Sequence, residues 1–169
     1  MLTNPTIETI LTRRSIRSYK DTPVPREMIE TILECGKFAA TALGKQPWHF
    51  TVITNRDVLD MICKKSGYDA FRGAPCAILA SFEIGNGTAG EIDCANAIEN
   101  MALAAKSLGL GSCYAAAFRN AFLTDADELK AQLGIPANYQ PTLSLALGYT
   151  DKEPTDRAPR REGTVNWIE

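Results

Sequence analysis

The chain has 169 residues, 45% of them hydrophobic, and a formal net charge of −2. That suits one domain with its own core and excludes an overall basic field for nucleic acid or an anionic membrane. No apolar run approaches the roughly 20 residues needed to span a bilayer, and the N-terminal MLTNPTIETILTRRSIR lacks the basic start and apolar run of a secretory signal. Five scattered cysteines without a C-x-x-C pair, and a single histidine, His49, fit reduced thiols in a cytoplasm. They leave little for a metal site or a Ser-His-Asp triad, so no metal is expected.

In chain order, Pro5–Arg13 reads as a short helix, with Asn4 as N-cap and Pro5 at the first helical position. RRSIR follows at Arg13–Arg17. Pro23 and Pro25 bracket a turn, and a second helix is predicted from Arg26 to about Thr41, with Ile29, Ile32, Leu33 and Ala40 inward. Leu43–Pro47 is a loop and Trp48–Thr54 an alternating strand. Asn55 caps a helix over Arg56–Lys65, Ser66–Pro75 is a loop, and Cys76–Phe82 is an apolar strand. Ile84–Gly90 has no pattern and reads as a loop.

A long helix then runs from Glu91 towards Gly109. On a helical wheel, Ala95, Ala97, Ile98, Met101, Ala102, Ala104, Ala105 and Leu108 fill one half. Asp93, Asn96, Glu99, Asn100, Lys106 and Ser107 share the other with Ile92 and Leu103, an amide-rich face unusual for one washed by water. Gly109 suits a left-handed cap. SCYAAAF from Ser112 reads as a buried strand, Thr124 with Asp127 as a capping box for a helix ending at Gly134, and Thr142–Leu147 as a last core strand. Four strands interleaved with five helices predict an α+β or α/β sandwich: a domain over 1–150 with an extension over 151–169. The extension is polar yet ends in Val165, Trp167 and Ile168, which need burial. It is expected to wrap a neighbouring subunit.

RRSIR places three arginines and a serine in five positions. Guanidinium groups bind phosphate by paired hydrogen bonds, and cations after a helix equally interact with its C-terminal end. Arg157, Arg160 and Arg161 of the tail are a second cluster, either a phosphate clamp or a solvated arm. Lys45 and Gln46, fixed by Pro47, can face a ligand, whereas Trp48 reads as a packing anchor. Tyr68, Phe71 and Phe118 either cover an aromatic ligand or pack locally.

RRSIRSY, QPWHF, LGLGSC and the ending LALGY with PRR and a late Trp, in this order, resemble the nitroreductase family of FMN-dependent oxidoreductases. The resemblance covers almost the whole chain. It implies a nitroreductase-like α/β sandwich with a mixed central sheet, a homodimer with FMN at the interface, and a C-terminal arm exchanged between subunits. It also implies that Arg13, Arg14 and Ser15 hold the phosphate and ribityl chain, joined by Arg160 or Arg161. Arg17 would approach the pyrimidine end of the flavin as an electrostatic stabiliser, with no catalytic side chain besides. Lys45 and Gln46 would lie on a loop presented by the partner. Leu110, Gly111 and Ser112 would lie along the isoalloxazine, and the small residues of the long helix at the dimer interface. The family loop often reads Asn-x-Gln-Pro-Trp; here Gly44 holds the Asn position, so that contact is lost or replaced by backbone, Lys45 or water. The implied activity is reduction of nitroaromatic, quinone or related small-molecule acceptors by NADH or NADPH, in a ping-pong hydride mechanism. A flavin store or redox sensor without turnover is the alternative. A nucleic-acid module is disfavoured by the acidic balance and the absence of aromatics among the arginines.

Overall fold

Two asparagines decide where helices begin. The Asn4 side chain accepts from Ile7 N at 2.9 Å, and α1 runs over Pro5–Thr12. The Asn55 side chain accepts from Val58 N at 3.1 Å, and α3 runs over Arg56–Ser66 before Gly67 closes it in the left-handed region. The computed structural model describes residues 2–85, 89–152 and 158–169. Pro154 and Arg157 of the tail, and the middle of the Ile84–Gly90 loop, lie outside the described residues.

The remaining helices are α2 (Arg26–Lys37), α4 (Gly90–Ser107) and α5 (Ala126–Gln132), with 3-10 turns at Ala42–Gly44 and Ala117–Phe122. The strands are β1 (Trp48–Ile53), β2 (Cys76–Glu83), β3 (Gly111–Ala115) and β4 (Tyr139–Gly148). They form one sheet in the order β1-β2-β4-β3, and every pairing is antiparallel, with Trp48 opposite Phe82, Ile78 opposite Leu145 and Cys113 opposite Ala146. The fold is α+β, as expected. The parallel component of the sheet is confined to one bridge, Ser15 to Ser112.

Alternation along β2 and β4 feeds two cores. Cys76, Ile78, Ala80, Leu143, Leu145 and Leu147 pack with α2 and α4, while Ala77, Leu79, Cys113 and Ala146 pack with α3, α5 and the second 3-10 turn. The result is three layers, helices on both faces of the sheet. Trp48 joins the first core and stacks on Phe50, and His49 meets the Tyr139 ring edge-on. Both are structural.

Four expectations are corrected. Helix α2 stops at Lys37, not near Thr41, leaving Phe38 and Ala40 exposed. A carbonyl in its last turn and one just beyond it are taken by α4, since Asn100 Nδ2 donates to Cys35 O and Asn96 Nδ2 to Ala40 O, which accounts for the amide-rich face of α4. The alanine half of α4 is spent within the chain, with Ala97 buried and Ala102 and Ala105 in the first core. Strand β3 ends at Ala115. Phe118 and Phe122, four residues apart, both enter the second core from a helical turn, ring edge to face. The Thr124 capping box does not form: Asp125 precedes α5 with φ 53° and no side-chain cap, and Asp127 pairs with Lys130 at 3.1 Å.

Asp151 at the start of the tail pairs with Lys20, and Val165, Trp167 and Ile168 at its end are exposed. Among the described residues no helix is long and apolar enough to cross a membrane, and no three His, Cys, Asp or Glu side chains converge as metal ligands.

Candidate functional site

After α1 the chain runs extended along β3. Ile16 N donates to Ser112 O at 2.8 Å, beside the Ser15–Ser112 bridge, and Tyr19 Oη donates to Ile16 O at 2.7 Å. This approach needs Gly111, where a Cβ would lie 2.9 Å from Ile16 Cγ2. On the other side Gly109, at φ 77°, ends α4, and Leu110 N returns to Ala105 O at 2.9 Å. Sequence-distant segments, RRSIR and LGLGSC, are thereby joined backbone to backbone.

Over that junction lies a cavity of about 410 Å³ lined by Arg13, Arg14, Lys106, Leu110, Gly111 and Ser112, with Thr150–Lys152 at its rim. Its donors are guanidinium, ammonium and a buried serine, and its floor is bare backbone at Gly111. That set suits a phosphate ester carrying a flat ring. The two expected arginines are engaged differently. Arg13 Nε pairs with Glu99 at 3.3 Å, whereas Arg14 Nη1 turns back to Leu11 O, Thr12 O and Arg13 O at 3.2–3.4 Å, capping α1.

Arg17 stands apart. It lines a second cavity of about 420 Å³ with Tyr68, Asp69, Arg72, Cys113 and Tyr114. Tyr19 is half-buried, and burial pushes its phenol above the usual range while Arg17 and Arg72 pull the other way. Of the aromatics considered from sequence, Phe71 and Phe118 are core residues and only Tyr68 faces solvent.

Lys45 and Gln46 are exposed and line neither cavity in their own chain. Their turn is built on positive φ at Leu43, Gly44 and Gln46, and it is pinned to α4 by Ala42 N donating to Asp93 Oδ1 at 3.1 Å. Arg160 and Arg161 are exposed on the tail and line neither cavity. Sequence reasoning missed Lys106 and Arg72. A signal existed for each: Lys106 sits in the last turn before Gly109, and Arg72 adjoins Gly73. A larger cavity, about 620 Å³, opens between the start of α2 and β1, but its arginines are paired, Arg26 with Glu30 and Arg56 with Asp60.

The model described as Nitroreductase family matches residues 10–67 and 62–149. A protein of Methanothermobacter thermautotrophicus bearing the proposed name NADH dehydrogenase/NAD(P)H nitroreductase is 37% identical over 157 residues, 89% of this chain and 80% of its own. A Bacteroides fragilis nitroreductase crystallised with bound FMN superposes with a TM-score of 0.89 at 30% identity, over 99% of this chain and 100% of that one. A Desulfitobacterium hafniense nitroreductase shares the fold with a TM-score of 0.91 at 23% identity, over 99% and 100%.

Proposed function

The chain belongs to the nitroreductase family, and from that premise we propose that it is an FMN-dependent oxidoreductase. It takes reducing equivalents from NADH or NADPH and delivers them to nitroaromatic, quinone or related electrophilic acceptors. The observation that carries this reading is the Ser15–Ser112 junction beneath a cationic cavity. It supports placing a phosphate among Arg13, Arg14 and Lys106 and a flat ring over Gly111 and Ser112.

When bound, FMN supplies the two-electron chemistry, accepting hydride from the nicotinamide and yielding it to the acceptor. The chain's own residues position and compensate charge. Arg13 and Lys106 would neutralise the phosphate, Ser15 and Ser112 would hydrogen-bond the ribityl side, and Leu110 would bound the ring. Arg17 would offset the negative charge of the reduced flavin, a preorganised effect of a few kcal/mol. Donor and acceptor would occupy the same open site in turn, the ping-pong order.

The working unit of this reading is a homodimer. Ile10, Leu11, Phe38 and Ile92 are exposed apolar residues on α1, after α2 and on α4, and they support a face for a second copy. The tail would cross to that copy, bury Val165, Trp167 and Ile168, and bring Arg160 and Arg161 to its phosphate. Lys45 and Gln46 would reach the other copy's flavin in the same way.

The test is the visible spectrum of the purified protein, followed by NADH or NADPH without oxygen. Bands near roughly 370 and 450 nm that bleach are expected. Bands that persist with both donors overturn the reductase reading in favour of a flavin store or sensor. A colourless protein that takes up no FMN overturns the flavin assignment.

A further inference from the structure

Between α2 and β1 the chain makes a turn that its own residues resist. Leu43, Gly44 and Gln46 have φ of 56°, 67° and 49°, a conformation that costs free energy at the two residues with a Cβ. Leu43 is 89% exposed, so core packing does not offset that cost. Hydrogen bonds do. Helix α4 grips the residues on either side of Thr41: Asn96 Nδ2 donates to Ala40 O at 3.2 Å, and Asp93 Oδ1 accepts from Ala42 N at 3.1 Å. Thr41 then closes the turn with both of its oxygens. Its carbonyl accepts from Gly44 N at 3.2 Å, and its hydroxyl accepts from Gln46 N at 3.2 Å. Its own backbone is extended, at φ −130° and ψ 155°, where a β-branched residue is at ease. Pro47 is buried and Trp48 packs against the first core, so the turn is anchored at both ends while Lys45 and Gln46 stay exposed.

We propose that Thr41 is a positioning residue for the flavin of the partner subunit: held by α4, it fixes the backbone at Gln46 and so presents Gln46 across the dimer. The role rests on the FMN reading and the homodimer proposed above. Thr41 lines neither cavity, so it acts through the turn rather than by touching the cofactor. Its contribution is preorganisation. Without these bonds Leu43 and Gln46 would relax out of the left-handed region, and ordering them again on binding would cost affinity. Gly44 sharpens the need, since glycine widens the choice of backbone and brings no side chain to a ligand; Gln46 then carries the contact and Thr41 Oγ1 its orientation. Helix α4 lines one cavity through Lys106 near its C-terminal end and grips this turn near its N-terminal end. One helix thereby serves both sites of the dimer.

The test is FMN titration of the full chain, first as homodimers and then as mixed dimers. Thr41→Val, which removes the hydroxyl and keeps the branched shape, should weaken FMN binding about tenfold and speed hydrogen exchange at Gln46 N. Thr41→Ser restores the acceptor and should bind within about twofold of wild type. Mixed dimers, purified through two different tags, then assign the effect to a subunit. Arg13→Ala with Lys106→Ala disables one phosphate cluster, which leaves one site to measure. With Thr41→Val on the other subunit, that site should keep wild-type affinity, because its turn comes from the subunit with Thr41 intact. With all three substitutions on one subunit, the remaining site should bind about tenfold more weakly. The reverse order places the turn on its own chain's flavin and overturns the proposal, as does equal affinity in the two arrangements or a chain that forms no dimer. Faster exchange at Gln46 with unchanged FMN binding makes Thr41 a purely structural residue and overturns it too. Wild type that takes up no FMN overturns the cofactor reading and this role with it, whereas wild type and Thr41→Val that bind FMN equally overturn this role alone.

Discussion

Ile16 occupies the space that a side chain on Gly111 would need: a Cβ there would lie 2.9 Å from Ile16 Cγ2 and 3.0 Å from Ile16 Cβ. The branched Cβ cannot swing aside, and Ile16 N is bonded to Ser112 O. Gly111→Ala must therefore push the Arg13–Arg17 segment off β3. We expect a loss of about 1–3 kcal/mol in chemical denaturation of the apoprotein, and a still larger relative loss in FMN affinity by titration. An alanine variant with wild-type affinity would show that the junction does not shape the site.

Asp93 is 3% exposed on α4, with Oδ1 accepting from Ala42 N and Oδ2 without a partner among the described residues. Removing the acceptor strands a backbone N–H, so Asp93→Ala should cost about 1–3 kcal/mol and speed hydrogen exchange at Ala42. Asp93→Asn keeps an oxygen acceptor and removes a buried charge. It should match or exceed wild-type stability. The reverse ranking would mean that the charge, not the hydrogen bond, holds the turn.

These two residues also mark how far sequence reaches. Caps that act within one turn were legible: Asn4, Asn55 and Gly109 do what local chemistry predicts. So was β2, read as an apolar strand, because both of its faces are buried. Asp93 was not, since its neighbours on the wheel are polar and the Ala42 N–H it accepts from lies some fifty residues earlier. The end of α2 failed for the same reason: carbonyls that another turn would have satisfied are taken by amides of α4. The pairing of RRSIR with LGLGSC came from the resemblance; the residues alone gave no register for it. The second cavity stayed hidden because Arg17, Arg72 and Tyr114 meet only after three segments fold together.

Alkali should unfold this protein in a defined window. Burial pushes the Cys76 and Cys94 thiols from about 9.0 up to about 12, helped at Cys94 by Asp93 and Glu91, and the Tyr19 phenol is also raised. The unfolded chain loses both thiol protons near pH 9 while the folded chain keeps them. Between those values the folded state binds more protons, so stability is whole below pH 9 and falls as pH rises towards 12. The slope is roughly 1 kcal/mol per thiol for each pH unit. Melting temperatures at pH 8, 9, 10 and 11 should stay level and then drop, and Cys76→Ala should flatten the drop. A profile unchanged to pH 11 would show that the thiols do not carry it.

The tail prediction follows from where its apolar tip stands. Trp167 is 86% exposed and Ile168 98% exposed on a single chain, and an aromatic ring that size contributes strongly only once buried. If the tail crosses to a second copy, Trp167 should pass from water to protein on association. In a Trp48→Phe background Trp167 is the remaining tryptophan, so its emission should shift to the blue as protein concentration rises through the dimer range. Truncation after Lys152 should abolish that shift and raise the dimer dissociation constant, read by sedimentation, at least about tenfold. Arg160→Ala with Arg161→Ala should leave the dimer in place and weaken FMN binding instead. A full chain that sediments at 18.4 kDa at micromolar concentration, with red-shifted emission throughout, would remove the arm and every site contribution assigned to it.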